Sequence, residues 1–574
     1  MDLRRNASQN IADRLAWHTA KRDQVGIATD LASGKDIPEV YGLGEAGLFD
    51  EFFYFLEHFG FDKLFAKLNP KNKERESKVP FMGVLYIYLM RIIAGLPFFW
   101  HIDPVILHSQ SLMRLVGFNG REVREGTSRR GVGEKPTDPE KSEPTSDSVQ
   151  SSLDGDNEAD QDSEQPTEIR GPVCPEFIAG HICAILGKAL EKLFNQTITI
   201  LAANNFFPKK IHALLDASEI QSTEKCTGCG KVTKEKAPEL RRRKGRVRKI
   251  LVTVFGFKIW VVWDSNSRLP LAMRFATIEV ADIQLAQEVI QQAIDNLGNH
   301  AVIVSIAIDR GFTDGKLLWW LNTRNITFFI PAKTDMDVYK DAISLVPDGA
   351  TATRERTGTS GAGKNKVVVT DSWELVAIEG LTSAGYYGPL GSGSHQNNND
   401  FIPNPINAVV VLHDPFKKNN PNTDTMVILT NGHLKNPFDV YDGYDARSEI
   451  ENGLFREAKQ AWFIQRPPRN TKDAFRAHVY LTILLMALTT AFRAWMEQQD
   501  KLERKGRDTG IRKFREQVAE ENGNKLIIFD HDRYAIFDAY EVFILCGRNV
   551  LMPKGIPEKI TKEDILRKYG TILE

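Results

Sequence analysis

Two apolar stretches run into an aspartate: IHALLDASEI at 211–220, with Asp216 after IHALL, and AVIVSIAID at 301–309, with Asp309 after AVIVSIAI. Short runs of apolar and β-branched residues read as strands buried on both faces, the kind found where helices cover a sheet from either side. Between them lie KILVTVFGFKIWVVWD (249–264) and LPLAMRFATIEV (269–280), both rich in strand formers. ADIQLAQEVIQQAIDNL (281–297) then sets Ala286, Val289, Ile290, Ala293, Ile294 and Leu297 on one helical face. GKLLWWLNTRN (315–325) reads as a helix and ITFFIPAK (326–333) as a strand. Strands alternating with helices from about 211 predict a mixed α/β layered domain.

The texture changes on either side of this block. Residues 333–440 carry Gly/Ser loops and separated strands (KVVVTDSWELVAI, INAVVVLHD, TMVILT), which predicts a β-rich insertion. Helical texture resumes at 446–465 and 473–498, and residues 501–574 close with strand-like IFDAYEVFILCG. Upstream, a helix is expected at 176–194, within a first segment of the α/β domain at 173–332. Residues 1–118 read as a helical amino-terminal region, with apolar spacing in LFDEFFYFLEHFGFDKLF. Residues 119–172 are rich in Ser, Pro, Asp, Glu and Gly, a composition that cannot offset its ordering entropy, and read as a disordered acidic linker.

Composition bounds the function classes. At 574 residues, with 42% hydrophobic and 26% charged residues, the chain is multidomain and globular rather than fibrous. Five scattered cysteines do not make a disulfide framework. MDLRRNASQNIADRLAW has no apolar run behind its arginines, so no signal peptide is expected. Val79–Trp100 is interrupted by Arg91, and Ala477–Phe492 is bounded by Arg476 and Arg493. Both fall short of a membrane span and predict buried core helices in a cytoplasmic protein without a membrane partner. The net charge of −1 hides an asymmetry: residues 134–168 carry −10 and residues 231–249 carry +8. A basic run of that strength, RRRKGRVRK with Arg241, Arg242 and Arg243 at its start, is a candidate DNA-backbone contact, though such runs are often solvated loops.

A carboxylate that continues a buried strand is costly unless it is paired or metal-bound. Taken singly, either aspartate could start a turn or cap a helix. A third acid shifts the balance. YDARSEIENGLFREAKQ (444–460) puts Tyr444, Arg447, Glu451 and Arg456 or Lys459 near one helical face, joining an acid to phosphate-compatible donors. Taken alone, that face is also compatible with a surface salt-bridge lattice.

With LLDAS, AIDRGF and this Tyr-x2-Arg-x3-Glu block in the order Asp, Asp, Glu, the chain resembles insertion-sequence transposases of the DDE, ribonuclease H-like superfamily whose catalytic domain carries a β-rich insertion. The resemblance covers about 205–500. It implies that the ribonuclease H-like mixed sheet is split by the 333–440 insertion and completed by 441–500. It also implies that Asp216, Asp309 and Glu451 hold Mg²⁺, or Mn²⁺ in its place, as two ions about 3.5–4 Å apart. Tyr444, Arg447, Arg456 and Lys459 would grip phosphate. The family signature sets its Lys seven residues after the Glu, whereas Lys459 stands eight after Glu451, and Glu449 and Glu457 stay open as alternatives for the third acid. The implied activity is strand cleavage and strand transfer at the element's ends. The implied partners are terminal inverted repeats read by the amino-terminal region, target DNA, and further copies of the chain assembled on DNA. A catalytically silent DNA-binding or regulatory descendant is the alternative.

Three motifs are set aside. GTSGAGKN (358–365) has Asn365 where a phosphate loop needs Ser or Thr, and it lacks the strand-to-helix context. Cys226-Thr-Gly-Cys229 has no second pair and predicts a tight turn. Trp319, Trp320 and Trp373 could stack on a base, but core packing is their default.

Overall fold

The computed structural model describes residues 20–70 apart from 45, then 79–118, 123, 172–236, 250–349, 352–360, 367–383, 405–415, 425–498, 523–549 and 560–570. Nearly all of the acidic stretch 119–172 and the basic run with Arg241, Arg242 and Arg243 lie outside the described residues. The chain divides into two compact units, one of residues 1–54, 69–184 and 509–574, the other of 55–68 and 185–508.

In the first unit the two ends of the chain share a sheet. Its strand order is Lys21–Arg22, Arg533–Asp538, Lys525–Asp530, Glu39–Gly42. The carboxy-terminal hairpin pairs Ile527 with Ile536, and Val40 lies opposite Ile528. Ile528, Ala535 and Phe537 pack with Ile27, Ala28 and Leu31 of the helix Gln24–Ser33. The region expected to be helical is so for most of its described length, and these two short strands are added to it. One reading is corrected: in IFDAYEVFILCG the strand stops at Asp538 and Ala539–Leu545 is helical. The Glu541 carboxylate accepts the Asp538 backbone N–H at 3.2 Å, a capping contact that favours the turn into a helix. Phe81–Ile93 is buried throughout, including Arg91, whose guanidinium lies over the rings of Tyr88 and Phe99.

The second unit is built on strands β1 (Lys210–Ser222), β2 (Gly230–Lys236), β3 (Ile250–Asp264), β4 (Leu269–Thr277), β5 (Val302–Ile308), β6 (Thr327–Pro331), β7 (Ala352–Ser360), β8 (Val367–Leu381), β9 (Ile406–His413) and β10 (Met426–Thr430). β4, β3 and β1 form an antiparallel meander, and β5 and β6 follow beside β1 in parallel. The order β4-β3-β1-β5-β6 is that of a ribonuclease H-like sheet. Helix α1 (Gly187–Ala203), α2 (Ala286–Leu297) and the long α3 (Lys472–Gln498) pack against β4. That cover explains why the strands read as continuous apolar runs. Helix α3 has the length and apolar composition to cross a membrane, but 83% of its most apolar window is buried inside the protein.

The β-rich residues at 333–440 extend this sheet. β6 pairs antiparallel with β10, and β9, β8 and β7 continue the order outward. β7 ends at Ser360 and β8 begins at Val367, so described strands stand on both sides of the glycine-rich sequence, where a phosphate loop would need a helix after it. At the other edge, Gly256 sits where β3 passes from β1 toward β2. Its φ is +153°, and a Cβ there would stand 2.3 Å from the Ile220 carbonyl oxygen. Gly256→Ala is therefore expected to lower unfolding free energy by about 2 kcal/mol or more. A urea midpoint equal to wild type would show that β3 can shift to admit the methyl.

Candidate active site

The parallel register of β1 and β5 sets the two aspartates side by side. Leu215 lies opposite Ile308, so the next residues, Asp216 and Asp309, leave neighbouring strands at the same sheet edge. Apolar residues up to that point fix both strands in the core, and the acids emerge where the core ends. Asp216, Asp309, Arg447, Glu451, Arg456 and Lys459 line one open pocket of about 500 Å³. Six residues chosen from three separate stretches thus converge.

Arg447 stands at the centre of the charge balance. Its Nη1 donates to Asp216 Oδ2 at 3.1 Å and lies 3.8 Å from Asp309 Oδ1. Tyr444, three residues before it, is half-buried and interacts electrostatically with Arg447, though it is not among the pocket-lining residues. Burial pushes Asp216 up to about 6. The Arg447 charge and the Ala217 N–H, at 2.7 Å, pull it down, and the charges of Asp309 and Glu451 push it further up. Burial also lowers Lys459, against the opposing pull of Glu219, Glu451 and Asp216. Tyr444 is raised, again chiefly by burial.

The third acid comes from a helix of unusual pitch. Helix Pro437–Asp445 gives way to a turn at Ala446 and Arg447, and a π-helical turn spans Ile450–Phe455 before α-helix resumes at Arg456–Gln460. This bears on the spacing of Lys459. In a regular α-helix eight residues would leave it roughly 80° off the face of Glu451, whereas seven return within about 20°. A π turn holds one additional residue, so the interval of eight acts as seven, and both side chains reach the same pocket. Glu449 is exposed and is not among the pocket-lining residues, while Glu457 accepts the Trp462 indole N–H at 3.2 Å.

Ser218 is a polar residue of the pocket to which the sequence alone assigned no role. It is buried, lines the pocket, and accepts a hydrogen bond from Lys459 Nζ at 2.8 Å. Its signal was present: two residues beyond Asp216 on a strand is the same face. Asn452 and Gln460 also line the pocket without having been singled out. Among the decoys, Cys226 to Cys229 form a tight turn, with Gly228 at φ +79° and Thr227 paired to Thr471. The Trp373 indole donates to Tyr441, and Trp320 lies under the Arg324 guanidinium.

Residues 208–489 match the model of the transposase DDE domain. Among solved structures, the chain is similar to a piggyBac transposase in a synaptic complex with hairpin DNA. Identity there is 9% and the TM-score 0.35, over 61% of this chain and 59% of that one. No curated protein sequence matches the chain.

The carboxylates suit a hard divalent cation in kind, since all three offer oxygen ligands and crowd one another's charge. Among the described residues they are not drawn into a three-ligand cluster, and Arg447 reaches both aspartates. The crowding has a measurable cost. Because Asp216 keeps its proton to about pH 6 when folded, against 3.8 ordinarily, the folded chain binds more protons than the unfolded chain between those values. Stability then falls as pH rises through about 4 to 6 and stays lower above it. Asp216→Asn is expected to stabilise the metal-free protein at pH 8 by up to about 3 kcal/mol, with the gain gone below about pH 4. Urea melts at both pH values test this, and an equal offset at the two would refute it.

Proposed function

We propose that the chain is a transposase that cuts a DNA strand at the ends of its own element, by metal-dependent hydrolysis, and joins the freed 3′-hydroxyl to target DNA. What supports the reading is the convergence of Asp216, Asp309 and Glu451 with Arg447, Arg456 and Lys459 in one pocket, inside the segment that matches the transposase DDE domain. Acids and cations in one pocket suit a phosphodiester, whose phosphate must be gripped while oxygen ligands hold Mg²⁺ or Mn²⁺. Asp216, Asp309 and Glu451 would hold the cation. When bound it supplies an activated water and charge neutralisation at the leaving oxygen.

The chain's own part is binding and orientation. Arg447 presents a planar fork that matches a phosphate in two places, and Lys459 and the exposed Arg456 add point and fork charge around the same pocket. Tyr444, one helical turn before Arg447, would steady the guanidinium. The partners on this reading are the terminal inverted repeats, target DNA and further copies of the chain on DNA. The basic run at Arg241, Arg242 and Arg243 would hold duplex backbone.

Duplexes made from the sequence flanking the reading frame, with Mg²⁺ or Mn²⁺, provide the test. Changing Asp216, Asp309 or Glu451 to Ala should lower strand cleavage by a factor of about 10³ or more, with duplex affinity kept within a few fold. Arg447→Lys should weaken cleavage despite keeping the charge. Full cleavage by Glu451→Ala would pass the third role to another acid, and a wild-type chain that binds but never cuts would make it a silent DNA-binding descendant. Neutralising Arg241, Arg242 and Arg243 should reduce the slope of log K against log salt by about 0.9 for each phosphate that is no longer neutralised. An unchanged slope would assign that run to solvent.

A further inference from the structure

Lys459 sits in a pocket with three carboxylates and pairs with none of them. Its hydrogen-bond partner among the described residues is the Ser218 hydroxyl, at 2.8 Å. That is not the arrangement electrostatics alone would choose. Glu219, Glu451 and Asp216 all act on the ammonium through space, and a half-buried cation gains most by closing onto an anion. A neutral oxygen holds it instead.

The geometry of β1 explains how. Ser218 is 7% exposed and fixed in the ladder opposite Ile259, so its hydroxyl has little freedom. It shares a strand face with Asp216, two residues earlier. Lys459 comes from the helical turn after Glu451, and its flexible four-carbon stem would let the ammonium swing. One of its three N–H donors is engaged by Ser218, leaving two for a ligand oxygen.

We propose that Ser218 is a positioning residue: by accepting from Lys459 it holds the ammonium off the carboxylates and keeps it available to a phosphate oxygen. The inference rests on the reading of this pocket as a phosphodiester site. Without the hydroxyl, Lys459 closes onto Glu451 or Asp216, which spoils a phosphate ligand and a metal ligand together. Threonine keeps the hydroxyl and suits a strand, so Ser218→Thr preserves the arrangement. Alanine removes the hydroxyl while leaving a small side chain in the same ladder.

Two measurements on the full chain separate this idea from the functional reading. The first uses no DNA: brief acetylation with acetic anhydride, read by mass spectrometry at Lys459 and at Lys258 and Lys472 as internal references. Ser218→Ala should slow labelling of Lys459 at least threefold, because an ion-paired amine is less reactive, while Ser218→Thr and the reference lysines stay near wild type. Unchanged or faster labelling of Lys459 in Ser218→Ala would overturn the proposal. The second is single-turnover cleavage of the flanking-sequence duplex with Mn²⁺. Ser218→Ala should slow it about tenfold with duplex affinity within twofold, and Ser218→Thr should restore the rate. In a Lys459→Ala background, Ser218→Ala should add little, since both changes remove one effect. Fully multiplicative losses would mean that Ser218 acts through something other than Lys459. If no variant, wild type included, cuts the duplex while labelling changes as described, the positioning stands and the functional reading fails.

Discussion

Carboxylates brought to one sheet edge repel one another, and the second unit is arranged around managing that repulsion. The parallel register of β1 and β5 forces Asp216 and Asp309 into adjacent positions. Desolvation at the end of the core raises the cost further. Arg447 offsets part of it by reaching both acids from a turn that lies more than 130 residues further along the chain. Lys459, another cation of the pocket, is kept from doing the same by Ser218. The pocket therefore holds charges of both signs that are only partly spent on each other, which is what the proposed metal and phosphate roles need.

Much of this was legible in the sequence, for reasons that are specific to each element. Apolar runs on β1, β3 and β5 stand out because their central residues are buried, with only single polar residues such as His212, Lys258 and Ser305 among them. Helix α2 shows its buried stripe at regular spacing because only one face packs. The aspartates stand out as the first charges after an apolar run. The strands of 333–440 could be found one by one, but their place was hidden. Pairing of β6 with β10 joins residues about a hundred apart, and neither strand names its partner. The sheet shared by the two chain ends was hidden for the same reason, with Glu39–Gly42 beside Lys525–Asp530.

Other features were hidden by chemistry rather than by distance. Ser218 is a common strand residue, and only the arrival of Lys459 gives its hydroxyl a task. The π turn at Ile450–Phe455 has no residue signature in IENGLF, so a count along the sequence put Lys459 one place too far when its side chain was not. At 539–545 the alternating aromatic and aliphatic residues look like a strand, and the local contact between Glu541 and the Asp538 backbone decides otherwise.

The position of the β-rich segment has a consequence for how the chain comes together. β6 closes the ribonuclease H-like order, yet its outer neighbour β10 arrives only after β7, β8 and β9 have been made. Glu451 follows later still. Two of the three acids are thus made early, and the third only after the strands of the β-rich segment. Contacts so far apart in sequence form slowly. During synthesis there is an interval in which the sheet edge at β6 is unpaired and the acidic pair lacks both Glu451 and its counter-ion Arg447. A chain stopped in that interval would carry both aspartates at the sheet edge without the helical turn that brings Arg447 and Glu451 to them.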